Sequence, residues 1–176
     1  MKSMNRIFYS LLTLFALVGF MGCSEDDEVK TVATEADLVG TWTMQSSEVD
    51  FTVNGQDIID YMIEVLKISE EEATIQKEIL EGGAAMESGM TIELKSNHTY
   101  IAKETGEDPD DGTWKLSSDG KKLLIDEGTV DEMEFEFKSI ASNNLSLFTE
   151  RSGKMDFDED GTDETVEVKM TLNLTK

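Results

Sequence analysis

Cysteine, histidine and proline each occur once in this chain of 176 residues, and basic side chains are scarce, with 15 Lys plus Arg against 38 Asp plus Glu. A single Cys and a single His argue against a zinc site, a haem-attachment site, a disulfide framework or a Cys/His catalytic pair. A formal net charge of -23 excludes a nucleic-acid binder, which needs a cationic face to displace counterions from phosphates. Long apolar runs are also missing. The longest, Leu11 to Met21, falls short of the roughly 20 residues that span a bilayer as a helix. What is present is a 39% hydrophobic content, enough to bury one core, in a length that fits a single domain.

Residues 1–22 read as a targeting segment. Lys2 and Arg6 precede the apolar run, and small residues follow it before Cys23, the three parts of a secretory signal. The stretch Phe20-Met21-Gly22-Cys23 resembles a bacterial lipobox, which implies that Cys23 is acylated and becomes the new N-terminus. Phe20 and Met21 depart from the usual residues, so the match rests on Gly22-Cys23 and the apolar run. Cleavage there removes two basic residues and no acid, so the charge imbalance grows. The following Ser24-Glu25-Asp26-Asp27-Glu28 resembles the acidic export tag of surface lipoproteins of the Bacteroidetes type. It also reads as an acidic tether, residues 23–36, too polar to pack. The resemblance implies a cell-envelope protein, an outer-membrane lipoprotein attached through Cys23; the export-tag reading places it at the cell surface, and the tether reading leaves the leaflet open.

From Thr41 onward the dominant period is two, the mark of strands with one buried face. Val166, Val168, Met170, Leu172 and Leu174 alternate with Glu167, Lys169, Thr171 and Asn173; Met133, Phe135 and Phe137 alternate with Glu134 and Glu136. Similar runs at 41–53, 90–95, 99–103, 113–116, 122–126 and 145–150 bring the count to about eight strands. Ser96-Asn97, Asp119-Gly120 and Ser142-Asn143-Asn144 supply short turns. Short turns imply consecutive antiparallel strands, and eight of these remove their edges by closing into an up-and-down barrel. Residues 57–82 break the pattern. Ile58, Ile59, Met62, Ile63, Leu66, Ile75, Ile79 and Leu80 recur at helical spacing, and Ser69 with Glu72 forms a capping-box signal. Two helices are therefore expected between the first and second strands, serving either as a plug for one barrel end or as a lid over a ligand portal.

Leu38-Val39-Gly40-Thr41-Trp42 and Asp111-Gly112-Thr113-Trp114-Lys115-Leu116 carry a resemblance to the lipocalin-like domain of bacterial lipoproteins. Gly40 and Trp42 match its Gly-x-Trp opening, and Gly112, Thr113 and Trp114 match its middle motif. The resemblance covers about residues 38–176 and leaves the helical pair outside the usual pattern. It implies a mainly β fold, residues 37–176, built as an eight-stranded antiparallel barrel with a helical insert, with Trp42 packed over the core. It also implies a small hydrophobic ligand. Met62, Met90, Phe135, Phe137 and Met170 are the candidate cavity residues, and such bulky side chains either shape a ligand site or fill the barrel themselves.

One motif carries metal chemistry. Asp156-Phe157-Asp158-Glu159-Asp160-Gly161-Thr162-Asp163-Glu164-Thr165-Val166-Glu167 fits the calcium-loop pattern, in which hard oxygens converge on a turn that Gly permits. Asp163 stands where EF-hands place an apolar residue, and strands flank the loop. The shorter form ending at Glu164 resembles the calcium loops of integrin-type propeller repeats. The candidate ligands for Ca²⁺ are Asp156, Asp158, Asp160, Glu164 and the Thr162 carbonyl; the competing reading is a solvated acidic hairpin.

No nucleophile and base can be paired. His98 falls in a turn with no carboxylate near it in sequence. Glu104, Glu107, Asp108, Asp110 and Asp111 read as a solvated charge run rather than paired catalytic acids. The expectation is a non-catalytic, membrane-anchored lipocalin-like lipoprotein that binds a small hydrophobic ligand or acts as an envelope binding module. The alternative is a calcium-stabilised surface interaction protein with a filled barrel.

Overall fold

The structure, a computed structural model, describes residues 29–176. The expected signal peptide, Cys23 and the start of the acidic tether lie outside the described residues. Nine strands follow in chain order: β1 (Gly40–Val53), β2 (Gln56–Asp57), β3 (Thr91–Leu94), β4 (Thr99–Lys103), β5 (Asp110–Leu116), β6 (Lys122–Ile125), β7 (Met133–Ile140), β8 (Asn144–Met155) and β9 (Glu164–Thr175). Each of β3 to β8 pairs antiparallel with the next, β3 pairs with β1, and β9 returns to β1. That last pairing closes an eight-stranded antiparallel barrel. The two residues of β2 only fold back on the end of β1.

Alternation places the core. Trp42 and Met44 from β1, Leu123 from β6, Phe135 and Phe137 from β7, Leu145 and Leu147 from β8, and Leu172 and Leu174 from β9 are all buried in one cluster. Two bulges reset the alternation. In β1 the register against β9 shifts between Met44 and Ser46, so the buried positions change from even to odd numbers and Phe51 and Val53 share the face of Trp42. In β7 a shift between Phe137 and Ser139 likewise brings Ile140 inward. One extra residue in a regular strand would move every later side chain to the other face, so the bulges that absorb these residues keep the apolar side continuous.

β1, β8 and β9 outrun the barrel. β3 covers only Gly40–Thr43 of β1, whereas β9 follows β1 from Thr43 to Val53. The inner face of this ribbon, with Phe51, Val53, Val166 and Val168, would be wet without a cover. Helices α2 (Ile58–Glu64) and α3 (Glu70–Ala84) supply it, packing Ile58, Tyr61, Met62 and Ala73 into a second apolar cluster. Ser69 caps α3, its hydroxyl accepting from the Glu72 amide while the Glu72 carboxylate accepts from the Ser69 amide. The insert therefore lies between β1 and β3, as expected, but it covers the ribbon and contributes no residue of α2 or α3 to the barrel cavity.

Residues 30–36, expected within the tether, dock on the barrel. Lys30 exchanges backbone hydrogen bonds with Ile140, and the Ala33 amide donates to the Gly120 carbonyl at 2.7 Å. Gly120 is required there: its φ is +71°, and a Cβ would sit 2.7 Å from the Ala33 oxygen. A short helix, α1 (Glu35–Leu38), then leads into β1. Its Leu38 carbonyl accepts from Trp42 Nε1 at 2.7 Å. Over the face of that ring, Lys176 Nζ lies 4.5 Å from the centroid and donates to the Asp37 carbonyl.

Candidate functional site

The barrel interior is not filled. A cavity of about 250 Å³ lies among side chains of all eight barrel strands, β5 contributing only its first residue, Asp110. Trp42, Leu94, Tyr100, Leu123, Leu147 and Leu172 form part of its apolar wall, and Met86 and Met90, from the segment after α3, close one side. The lining also includes Lys103, Glu104, Glu107, Asp108 and Asp110, all exposed, which puts the cavity mouth at the hairpin between β4 and β5. The chain turns there because Gly106 adopts a φ of +92°.

Of the expected cavity residues, the structure brings Met90 and Phe135 to the wall. It corrects the other three. Phe137 is buried in the barrel core away from the cavity, Met170 packs half-buried against that core, and Met62 belongs to the helical cluster on the ribbon. For Met62 the physical reason is the ribbon, which the helices cover, leaving α2 and α3 out of the cavity lining. The wall residues that were missed, Ile92 and Leu94 among them, lie on the same period-two faces as Met90; a strand pattern identifies an inner face but not which level of it is empty.

The Gly-Thr-Trp motif is a structural device beside the cavity. Tyr100 donates its hydroxyl to Asp126 Oδ2 at 2.8 Å, and Asp126 Oδ1 accepts from the Thr113 amide at 2.7 Å. Burial, then the hydrogen bond and charge of Asp126, push the Tyr100 phenol well above its ordinary range. A Cβ on Gly112 would meet Asp126 Oδ1 at 2.3 Å and the Tyr100 ring at 2.7 Å, so the motif needs Gly at this position. Trp114 is 2% exposed and donates from Nε1 to the Lys95 carbonyl; it is core, as expected. His98 departs from expectation. Its Nε2 lies 3.0 Å from Glu35 Oε1, and its ring meets Trp114 edge-on at 5.2 Å. No sequence neighbour signalled that partner, because α1 brings Glu35 from far along the chain.

No protein-family model, curated protein or solved structure matches this chain. Its chemistry must be read from its own side chains.

The acidic hairpin between β8 and β9 is the second candidate. One carboxylate oxygen each from Asp156, Asp158 and Glu164 lies within 4.8 Å of the others, close enough to share one cation. Glu164 is 6% exposed, and its Oε2 accepts from the Phe157 amide at 2.9 Å. Asp158 accepts at Oδ2 from the Tyr61 hydroxyl at 3.1 Å, and Tyr61 packs edge-on against Phe157 with ring centroids 5.9 Å apart. Burial first, then the bond to Asp158 and the charges of Asp158 and Glu164, push the Tyr61 pKa up to about 12. Asp156 accepts from the Gly161 amide at 3.0 Å. Asp160 stands outside the convergent group: its Oδ1 accepts from the Thr162 amide at 2.7 Å. The structure thus brings together three of the four carboxylates expected as ligands.

Proposed function

We propose that this chain is a non-catalytic binding protein of the bacterial cell envelope, anchored in a membrane through a lipid on Cys23, whose barrel holds a small hydrophobic molecule. The observation that carries the ligand is the apolar cavity of about 250 Å³ inside the closed barrel. Ligand pockets usually measure about 300–1,000 Å³, so the occupant is small. The lipobox-like Gly22-Cys23 and the lone Cys support the anchor, and the Gly-x-Trp and Gly-Thr-Trp motifs support the lipocalin-like reading. The test titrates a neutral fluorophore, N-phenyl-1-naphthylamine, into the native protein and the Ala102→Phe variant. Ala102 lines the cavity, and a phenyl group there occupies it. Saturable binding by the native chain and its loss in the folded variant are expected; binding that ignores the substitution sinks the reading. For the anchor, Cys23→Ala should move the protein from the membrane fraction to the soluble fraction.

A second reading is favoured by the convergence of Asp156, Asp158 and Glu164. Like charges this close repel, and a bound Ca²⁺ would replace repulsion with coordination. Calorimetry with Ca²⁺ should then give heat, and the melting temperature should rise with metal concentration. Neither effect at millimolar Ca²⁺ would remove the metal and leave the barrel reading intact.

A further inference from the structure

The cavity is sharply divided by chemistry. Its wall is made of Trp, Leu, Ile, Met and Phe side chains, and its rim carries Glu104, Glu107, Asp108 and Asp110 against the single cation Lys103. Among the described residues, none of these four carboxylates forms an ion pair, whereas other carboxylates do, Glu127 with Lys115 and Glu134 with Lys122 for example. The rim is also not satisfied from within the cavity, because the Tyr100 hydroxyl on the wall is already committed to Asp126. A low-dielectric wall beneath carboxylates of one sign focuses a negative potential on the mouth.

Resting on the hydrophobic-ligand reading, we propose that the ligand is a cationic amphiphile: a short apolar body in the cavity with an ammonium or amidinium group held at the rim by Glu104, Glu107, Asp108 and Asp110. Neutral apolar molecules satisfy only the wall. Carboxylates, phosphates and sulfates are repelled at the mouth, so fatty acids and anionic lipid headgroups are selected against.

The experiment compares octan-1-amine, octan-1-ol and octanoate as competitors of bound N-phenyl-1-naphthylamine, at neutral pH and at two salt concentrations. The amine and the alcohol share an eight-carbon tail, octanoate carries seven carbons behind its carboxylate, and the three differ in head charge. The amine should compete about tenfold better than the alcohol at low salt, octanoate should be weakest, and added NaCl should compress the differences. The variant combining Glu104→Gln, Glu107→Gln, Asp108→Asn and Asp110→Asn should lose the preference for the amine over the alcohol, the ratio of their competition constants falling to about one. All four side chains are exposed, and circular dichroism with a cooperative melting transition verifies the fold of the variant. Equal competition by amine and alcohol, or a preference that survives in the variant, overturns the cationic ligand while the hydrophobic site stands. Failure of the fluorophore and all three probes to bind overturns both.

Discussion

Gly112 sits where two polar side chains have already claimed the space of a Cβ. With Asp126 Oδ1 at 2.3 Å from that point and the Tyr100 ring at 2.7 Å, Gly112→Ala must break the Thr113–Asp126–Tyr100 chain or displace β5. Overpacking of this kind costs about 1–3 kcal/mol, and the urea midpoint should fall accordingly. Asp37 gives a prediction in pH. Burial pushes its carboxyl up, but hydrogen bonds from the Lys30 ammonium and from the Thr34 hydroxyl and amide outweigh burial and hold the pKa down at about 2. A depressed folded-state pKa adds stability above the unfolded value and loses it as pH falls through the folded one. Asp37→Asn should therefore be less stable than the native chain at about pH 6, and the gap should close between about pH 4 and pH 2. Urea midpoints across that window check it.

The bulge in β1 lets one extra residue into the strand without turning its face. Deleting Gln45 removes that residue between Met44 and Ser46 and leaves β1 in plain alternation, with Trp42, Met44, Phe51 and Val53 still on one face. Urea unfolding of the deletion variant should therefore stay cooperative, as it should on deletion of Glu159 from the exposed hairpin, whereas Phe51→Asp, which puts a charge on the buried face, should lose cooperative unfolding. The same elements show what the amino-acid pattern could reveal. Val166 to Leu174 and Met133 to Phe137 declare their strands by strict alternation, and Ser69 with Glu72 declares the start of α3. The bulges at Gln45 and Lys138 carry no local mark, since each is settled by the partner strand's register. The docking of Lys30 and Ala33 is equally silent, because a few backbone bonds to Ile140 and Gly120 need no periodic side chains. At the candidate sites, Asp156, Asp158 and Glu164 were readable from motif spacing. The acidic rim was visible only as a charge run, and its value comes from standing over an apolar cavity that no local pattern marks.

For the whole molecule, the excess of acid is the main liability. A net charge of -23 stores self-repulsion in the compact state, and only scattered surface pairs such as Lys77 with Asp50, Asp57 and Glu81 oppose it. Raising ionic strength from about 0.01 M to 0.15 M shortens the screening length from about 30 Å to about 8 Å, so the melting temperature should climb with NaCl and then level off. Differential scanning calorimetry over that range measures it. A flat response would mean that the charges are already dispersed well enough to cost little.

The seam between β1 and β9 also dictates a timetable. It joins the first strand of the barrel to the last, so loop-closure entropy is greatest for the contact that completes the fold. Until β9 has been made and has reached β1, the face of Phe51 and Val53 lacks its partners, and strands at both sides of the gap offer unpaired backbone to any other chain. The barrel thus cannot ripen gradually from its N-terminal end. It stays open and vulnerable to proteases and self-association until its final strand arrives, and then shuts in one step.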